Sequence, residues 1–470
     1  MNASPESQRW YHGITRYQWT VLVIASLGWV FDIFEGQIFV ASMNEAMPSL
    51  VPAGTPQGTV DDYKFITLAM FLLGGAIGGV AFGMVSDRIG RRKTMSLTIV
   101  VYSLFTALSA FSTEWWHMAG FRFLVAMGVG GEWAVASSLV AEVFPAKARA
   151  RVAGIFHASS VLGTYLAVAA GSLFIGSEAI RDWSVAQGIP SLPWRLGFGL
   201  GVLPALLIIW IRRSLKEPES WEQAKSRAQQ NTAEAMGRIP ELFRGALLRP
   251  TLVGVTLAAV GLATFWGAHI LGKDLLRRDI ERQVIADDSL ILADPPAKDE
   301  KEIIQANLPY IKRWEMLGML LVTTGGGLGL LSFGPLCERI GRRPTFLFFH
   351  LGGLAISLIA FQWLHGVTVL IAVLPVFGFL TLGMHAGYAI YFPELYPTRL
   401  RGTGAGFCFN FGRILVVPLL LFYGRLRRPV NDGGWGLSLE NAASLLCLLF
   451  LAGVLVLAFA PETKGRELPQ

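Results

Sequence analysis

The sequence predicts an all-α membrane protein with twelve transmembrane helices in two pseudo-symmetric six-helix bundles. Two observations support this prediction. The chain is 53% hydrophobic and only 16% charged, with a mean hydropathy of +0.49, so it has too little charge to cover a soluble globule of its length. In addition, a charged motif that begins at Gly83 recurs at Gly334, roughly 250 residues later, between long apolar runs. The chain is therefore predicted to be a duplicated membrane protein.

The apolar segments set the number of spans. A hydrocarbon core of about 30 Å needs roughly 20 apolar residues per helix. A scan at that length predicts six spans in each half: 18–42, 64–85, 94–112, 117–141, 152–176 and 194–211, then 251–271, 314–334, 345–363, 367–392, 402–424 and 439–460.

These spans divide the chain into an N-terminal bundle over 1–211, a linker over 212–250 and a C-terminal bundle over 251–470. The linker is rich in Lys, Arg, Glu and Gln, which predicts a soluble segment with one or two amphipathic helices. A second polar insert, 273–313, mixes both signs of charge and contains Asp294-Pro295-Pro296. It is predicted to be an exposed loop with some local helix.

Lys and Arg predict the orientation. Basic residues concentrate in the loops after spans 2, 4, 6, 8 and 10, which predicts a cytoplasmic location for those loops and for both termini. The 273–313 insert then faces outside. Arg425, Arg427 and Arg428 oppose this assignment, because they fall in the predicted outer loop after span 11.

Several classes of function are not favoured. The net charge of +7 needs no nucleic acid to explain it. Cys337, Cys408 and Cys447 have no CxxC or Cys/His spacing, so neither a disulfide nor a metal site is predicted. No Gly-x4-Gly-Lys-Ser/Thr pattern occurs, so ATP hydrolysis is not expected. No cofactor is predicted. No obligatory protein partner is inferred, and the chain is not predicted to be an enzyme.

The motifs carry a resemblance to a known family. The Gly-x3-Asp-Arg-x-Gly-Arg-Arg-Lys pattern after span 2, with its echo after span 8, resembles the major facilitator superfamily over essentially the whole length. Finer motifs resemble its metabolite:proton symporter branch, close to carboxylate and sialate symporters and more distantly to sugar porters. They are Trp29-x2-Asp32-x2-Glu35, Arg122-Phe123, Gly128-x-Gly130-Gly131-Glu132-Trp133, Glu142-x2-Pro145, Glu217-Pro218-Glu219-Ser220 and Pro461-Glu462-Thr463-Lys464-Gly465. Trp221 after Pro218-Glu219-Ser220, and the lack of a Gln-Gln pair in span 7, depart from the sugar-porter pattern.

The repeated loops are predicted to act as gates. The resemblance implies that acidic residues and arginines pair across helix ends and hold one face closed, and such networks can break when the bundles rock apart. Retention of topology by positive charge alone is the alternative. The predicted gating residues are Gly83, Asp87, Arg88, Arg91, Arg92, Glu142, Glu338, Arg339, Arg342, Arg343, Glu394 and Arg401.

Ionisable residues within spans are candidates for function, because each costs at least about 2.5–3.5 kcal/mol to insert at mid-bilayer. Asp32 lies roughly 21 Å from the cytosolic end of span 1, and Arg122 about 8 Å from the outer end of span 4. These depths nearly coincide, so we predict an Asp32–Arg122 pair that carries the coupled proton; a static ion pair is the alternative. Glu35 is a second proton site or a vestibule charge. Glu132 is expected to be structural, with transport chemistry left open.

Substrate binding is predicted in the C-terminal half. Arg413 lies about 16 Å into span 11, with Asn410 one turn away, and a guanidinium in a dry cavity suits bidentate binding of a carboxylate. An internal pair with an acid of the C-terminal half is the alternative. Trp266, His385 and Tyr388 could also line a cavity, although each is individually more often a packing residue.

The combined prediction is a secondary active transporter that moves a small organic acid together with protons by alternating access. A sugar or drug transporter of the same fold is the alternative, and a non-transporting sensor is a further one. The expected partners are the organic anion, the proton and the lipid bilayer. The resemblance implies an integral multi-pass protein of a bacterial inner membrane.

Overall fold

The computed structural model describes residues 10–175, 177–230, 235–291, 300, 303, 307–427, 430 and 435–470. Over these residues the protein is helical and contains no β-strand. The helices are α1 (Arg16–Ala46), α2 (Gln57–Ile89), α3 (Arg91–Ser109), α4 (Trp115–Val143), α5 (Ala146–Ala158), α6 (Ser160–Ala170), α7 (Glu178–Ala186), α8 (Leu192–Gly199), α9 (Ala205–Ser214), α10 (Glu219–Gln230), α11 (Ile239–Leu242), α12 (Leu248–Ile291), α13 (Leu308–Ile340), α14 (Arg342–Gln362), α15 (Val367–Leu382), α16 (His385–Glu394), α17 (Arg401–Arg427), α18 (Leu439–Cys447) and α19 (Leu449–Leu457).

All twelve predicted spans coincide with helix in the part of the chain that the structure describes. Ten helical segments there are long and apolar enough to cross a bilayer. The predicted third and eleventh spans correspond to α3 and α17. Some spans are built from two helices, such as α5 and α6, which meet at Ser159. The predicted all-α, twelve-helix membrane fold is confirmed.

The contacts group the chain into two compact units. Unit 1 comprises Met1–Ala258, Tyr388–Ile414 and Pro461–Gln470. Unit 2 comprises Ala259–Gly387 and Leu415–Ala460. Much of α16 and the first half of α17 thus belong to the unit that contains α1 to α11. The domain boundaries drawn from the sequence at 211 and 250 stay a prediction.

The two copies of the charged motif adopt the same backbone conformation. Gly90 separates α2 from α3 with φ +109°, and Gly341 separates α13 from α14 with φ +98°. Residues with a side chain rarely adopt positive φ. Glycine can, and it therefore allows one helix to end and the next to begin within a single residue. The repeated motif therefore encodes a tight helix–helix connection in both units.

Glycine also sets how closely helices approach in unit 1. A Cβ added at Gly78 of α2 would lie 2.1 Å from the carbonyl oxygen of Met127 in α4, and one at Gly74 would lie 2.1 Å from that of Phe123. Real Cβ atoms do not occur at such distances, so α2 and α4 touch along their backbones, as the glycine-rich sequence of α2 predicts.

The two polar segments differ in how well they were predicted. The linker contains α10 and the short α11, in agreement with one or two helices. The insert over 273–313 does not begin as an exposed loop: α12 continues without a break to Ile291. Leu275, Leu276 and Ile280 are buried there because they fall on one face of the helix. Residues 292–299, which include the Asp-Pro-Pro sequence, lie outside the described part.

Candidate functional site

Four charged residues of the predicted gate meet in unit 1. The guanidinium of Arg91 donates to Glu142 through Nε at 3.1 Å and Nη2 at 2.8 Å, and to Asp87 through Nη1 at 2.7 Å. Arg401 donates to the same Glu142 carboxylate at 2.8 Å. All four side chains are fully buried. We call Asp87, Arg91, Glu142 and Arg401 the charge network.

Asp87 links the motif to the start of α17. Its carboxylate accepts hydrogen bonds from the backbone N–H of Gly402 at 3.0 Å and of Thr403 at 2.8 Å, and from the Thr403 hydroxyl at 2.6 Å. Free N–H groups and the positive end of the helix dipole favour a carboxylate at this position. A Cβ at Gly83 would lie 2.6 Å from the Gly402 carbonyl oxygen, so the glycine that begins the motif permits this contact.

The linker contacts the same region of unit 1. Glu217 accepts from the backbone N–H groups of Arg91 at 2.6 Å and Arg92 at 3.3 Å, which caps the N-terminus of α3. The indole N–H of Trp221 donates to the Asp87 carbonyl oxygen at 2.7 Å. Burial by itself would lower the pKa of Arg91, but the Glu142 and Asp87 carboxylates raise it above its ordinary value. The sequence singled out the Glu217 motif without predicting this contact.

The other predicted gating residues lie near this network or in unit 2. In unit 1, Arg88 donates to the Gly237 carbonyl oxygen at 3.4 Å, and Arg92 to that of Arg212 at 2.7 Å. Glu394 accepts from the Thr463 hydroxyl at 2.6 Å.

The second copy of the motif is in unit 2. Arg342 is buried and donates to the Cys337 carbonyl oxygen at 3.4 Å. Arg343 donates to the Leu457 carbonyl oxygen at 3.0 Å. Glu338 and Arg339 lie in the last turn of α13. The gating role of both copies stays a prediction.

The predicted Asp32–Arg122 ion pair does not form in this structure. Arg122 donates to the backbone carbonyl oxygen of Glu35 at 3.2 Å and to the hydroxyls of Thr106 at 3.1 Å and Ser109 at 3.0 Å, and it stacks over Phe198. Its two terminal nitrogens therefore donate to neutral groups, while its Nε has no partner among the described residues.

Both acids of α1 are buried. Asp32 is 1% exposed, and neither of its oxygens has a hydrogen-bond partner in the described part of the chain. Its electrostatic neighbours include Glu132, Glu35 and Arg413. The Glu35 side chain is fully buried, and a Cβ at Gly201 would lie 3.0 Å from its Oε1.

Glu132 of α4 lies in the same region. Its Oε2 is 2.5 Å from the Thr98 hydroxyl oxygen, and that oxygen is 2.9 Å from the Met95 carbonyl oxygen. Its Oε1 has no hydrogen-bond partner among the described residues. A Cβ at Gly28 would lie 2.6 Å from this oxygen, so it faces α1 one turn before Asp32.

Arg413 lies at the end of a row of rings in unit 1. Its guanidinium is 5.0 Å from the centre of the Phe409 ring, which stacks on Trp133 at 4.0 Å. The Trp133 N–H donates to Nδ1 of His157 at 3.3 Å. Within the described residues Arg413 makes no hydrogen bond or ion pair, and a Cβ at Gly75 would lie 2.7 Å from its Nη1. The guanidinium is thus held by stacking while its donors are unused.

The remaining predicted binding residues are dispersed. Asn410 is buried against Gly79 and donates to the Gly406 carbonyl oxygen at 2.9 Å, while its own side-chain oxygen has no partner in the described part. Tyr388 in unit 1 donates to the Leu257 carbonyl oxygen at 2.9 Å. His385 belongs to unit 2, where its Nε2 lies 3.2 Å from the Gly261 carbonyl oxygen. The side chain of Trp266 lies outside the described part of the structure.

The described part of the chain contains no group of three or more His, Cys, Asp or Glu side chains that could hold a metal ion. Cys337, Cys408 and Cys447 are free and buried.

Comparison with known proteins finds similar transporters. Residues 17–242 match the family described as Sugar (and other) transporter. The chain is 26% identical over 460 residues to a probable 4-methylmuconolactone transporter of Cupriavidus pinatubonensis, covering 97% of this chain and 93% of that protein. It is also 26% identical over 460 residues to the niacin transporter NiaP of Acinetobacter baylyi, covering 97% and 96%.

A solved structure shares the fold. The proton:xylose symporter XylE bound to 6-bromo-6-deoxy-D-glucose superimposes with a TM-score of 0.71 and 15% identity, covering 96% of this chain and 98% of that one. The chain is therefore an integral multi-pass membrane protein and a transporter rather than an enzyme. The chain therefore has the fold of the major facilitator superfamily, and its residues 17–242 match the Sugar (and other) transporter family.

Proposed function

We propose that this protein is a proton-coupled symporter of a small organic acid, and that Arg413 binds the carboxylate of the substrate. The observation that carries the proposal is the set of unused donors on Arg413. A charged group inside a membrane span is costly unless it is paired. Here a substrate carboxylate would supply the missing partner through two parallel hydrogen bonds.

The surroundings of Arg413 fit a flat organic anion. Phe409 and Trp133 form a stacked aromatic surface beside the guanidinium, and the free side-chain oxygen of Asn410 lies one turn away on α17. Aromatic surfaces with a few polar groups suit small metabolites. Asn410 can then orient a donor group of the substrate.

The names of the two relatives support a carboxylate substrate. Niacin is a pyridine carboxylic acid, and 4-methylmuconolactone carries a carboxymethyl group. Both relatives align over almost the whole chain. The likeness to the xylose symporter supports the fold alone, because the identity is only 15%. An organic acid is therefore a better supported substrate class than a sugar.

Proton coupling is assigned to Asp32. Its carboxylate is buried without a hydrogen-bond partner in the described part of the chain, and Arg413 is one of its electrostatic neighbours. A substrate anion bound to Arg413 would neutralise the positive charge that stabilises the ionised form of Asp32. Protonation of Asp32 would then be favoured. Anion binding and proton binding would then reinforce each other, which is the requirement for symport.

Transport assays in proteoliposomes test this function. We expect uptake of at least one labelled carboxylate from a panel of pyridine carboxylates, lactone acids, dicarboxylates and sugar acids, with accumulation that requires a pH gradient, acidic outside. Neutral sugars and nicotinamide are the matched controls, since they lack the carboxylate. Uptake of neutral sugars in preference to every acid would reject the substrate class. Uptake that ignores the pH gradient would reject proton coupling.

A further inference from the structure

The hydroxyl of Thr98 makes two short contacts in unit 1 but carries a single proton. It lies 2.9 Å from the Met95 carbonyl oxygen and 2.5 Å from Oε2 of Glu132. Thr98 is placed to donate to both oxygens, so they compete for its one proton. A protonated Glu132 relieves this competition, because its carboxylic O–H can donate to Thr98 while the Thr98 hydroxyl donates to Met95.

The environment of Glu132 opposes the ionised form. The side chain is fully buried, its Oε1 has no partner, and no Lys, Arg or His nitrogen lies within 4.0 Å of it in the described part of the chain. An isolated carboxylate in such surroundings costs several kcal/mol, and in practice it takes up a proton instead. One hydroxyl donor is not enough to offset that cost.

The ionisable groups on the surrounding elements do not change this conclusion. Asp32 has no cation within 4.0 Å among the described residues either, so ionising both acids would place two unpaired negative charges together. Tyr102 of α3 is buried and its hydroxyl has no partner in the described part. On the described helices that pack against α4, the buried ionisable residues are Asp32 and Glu35 of α1, Asp87 of α2, Arg91 and Tyr102 of α3, and Arg149 and His157 of α5. Of these, Asp32 and Tyr102 interact electrostatically with Glu132.

We infer that Glu132 is a second proton-carrying carboxyl of the transport site, protonated in this conformation and able to release its proton to water when the site opens. It acts beside Asp32, which lies one helical turn from the glycine that Glu132 faces. Coupling then depends on two acids rather than one. This inference rests on the proposed proton-coupled transport and adds a residue to it.

Infrared spectroscopy of the purified chain in lipid tests the protonation directly. We expect the wild type at neutral pH to show a C=O stretching band of protonated carboxyl that Glu132→Gln reduces. Glu114→Gln, a matched change of an exposed acid, should leave the band unchanged. Thr98→Val should shift the band to higher frequency, because the protonated acid loses its hydrogen-bond acceptor. A spectrum of Glu132→Gln identical to the wild type at neutral pH would overturn the inference.

Transport measurements separate this inference from the function on which it rests. We expect Glu132→Gln to lower the ratio of pH-driven uptake to counterflow by about tenfold or more, with Glu114→Gln at the wild-type ratio. The amide of Gln can donate to Thr98 as the protonated acid does, so the packing is preserved. Wild-type uptake without pH dependence would defeat the proposed function itself. Coupled uptake in the wild type and equally in Glu132→Gln would defeat only the role of Glu132.

Discussion

The charge network allows a prediction with a definite size. Glu142 accepts three hydrogen bonds from two arginines, and all of these side chains are fully buried. Replacing Glu142 by Gln removes one negative charge and leaves Arg91 and Arg401 facing each other, with only Asp87 to balance them. Breaking a buried ion pair from one side costs about 3–5 kcal/mol. At 1.4 kcal/mol per factor of ten, this lowers the folding equilibrium by about two to three and a half powers of ten.

An exposed pair in the same chain provides the control. Arg277 and Glu281 are 2.7 Å apart, but their side chains are 34% and 23% exposed. Such pairs contribute about 0–1 kcal/mol, since solvent screens the charges. Glu281→Gln should therefore have little effect.

The free energy of unfolding measured by titration with sodium dodecyl sulfate, followed by tryptophan fluorescence, compares the two variants. We expect the free energy of unfolding of Glu142→Gln to be lower than that of Glu281→Gln by at least about 2 kcal/mol. If the free energies of unfolding of both variants lie within about 1 kcal/mol of the wild-type value, the charge network does not stabilise this conformation. That result would contradict a gating role for the network.

Three further predictions concern transport and topology. Asp32→Asn should abolish uphill, pH-driven uptake while counterflow continues, because exchange need not release the proton; uphill uptake at the wild-type rate would contradict this role. Arg413→Lys should weaken substrate affinity measured by calorimetry, and Arg413→Ala should weaken it further, by about 2–5 kcal/mol; the exposed Arg213→Ala is the control, and unchanged affinity in both Arg413 variants would remove the argument for an anionic substrate. Cysteines introduced in the 273–313 insert, but not in the 212–250 linker, should react with an impermeant reagent added outside intact cells; the reverse pattern would invert the predicted orientation.

The membrane fold was largely predictable from the sequence. A span must satisfy its backbone hydrogen bonds internally and keep apolar side chains toward lipid, so length and hydropathy are sufficient to place a helix. The beginning of the 273–313 insert was missed because its mixed charges resemble a loop. Leu276, Ile280 and Val284 nevertheless recur every four residues and are buried, a helical period that was available in the sequence.

The arrangement of charges inside the membrane was less predictable. Counting residues gives the depth of a side chain but not the direction in which it leaves its helix. Asp32 and Glu35 differ by three residues, which turns them about 60° apart around α1. Arg122 has the expected depth, but it contacts the backbone carbonyl of Glu35. A similar depth therefore did not imply a similar direction.

Backbone partners explain why the contacts of the charge network were only partly predicted. The repeated motif identified Asp87 and Arg91, and the sequence also singled out Glu142 and Arg401 as gating residues, because ionisable side chains are directly recognisable in a sequence. Asp87 also depends on two backbone N–H groups at the start of α17, more than 300 positions away. Every residue except proline carries such a donor, so no residue type marks this partner. The donors become available only where a helix begins, so the contact could be recognised only once the fold had brought that helix terminus to the motif.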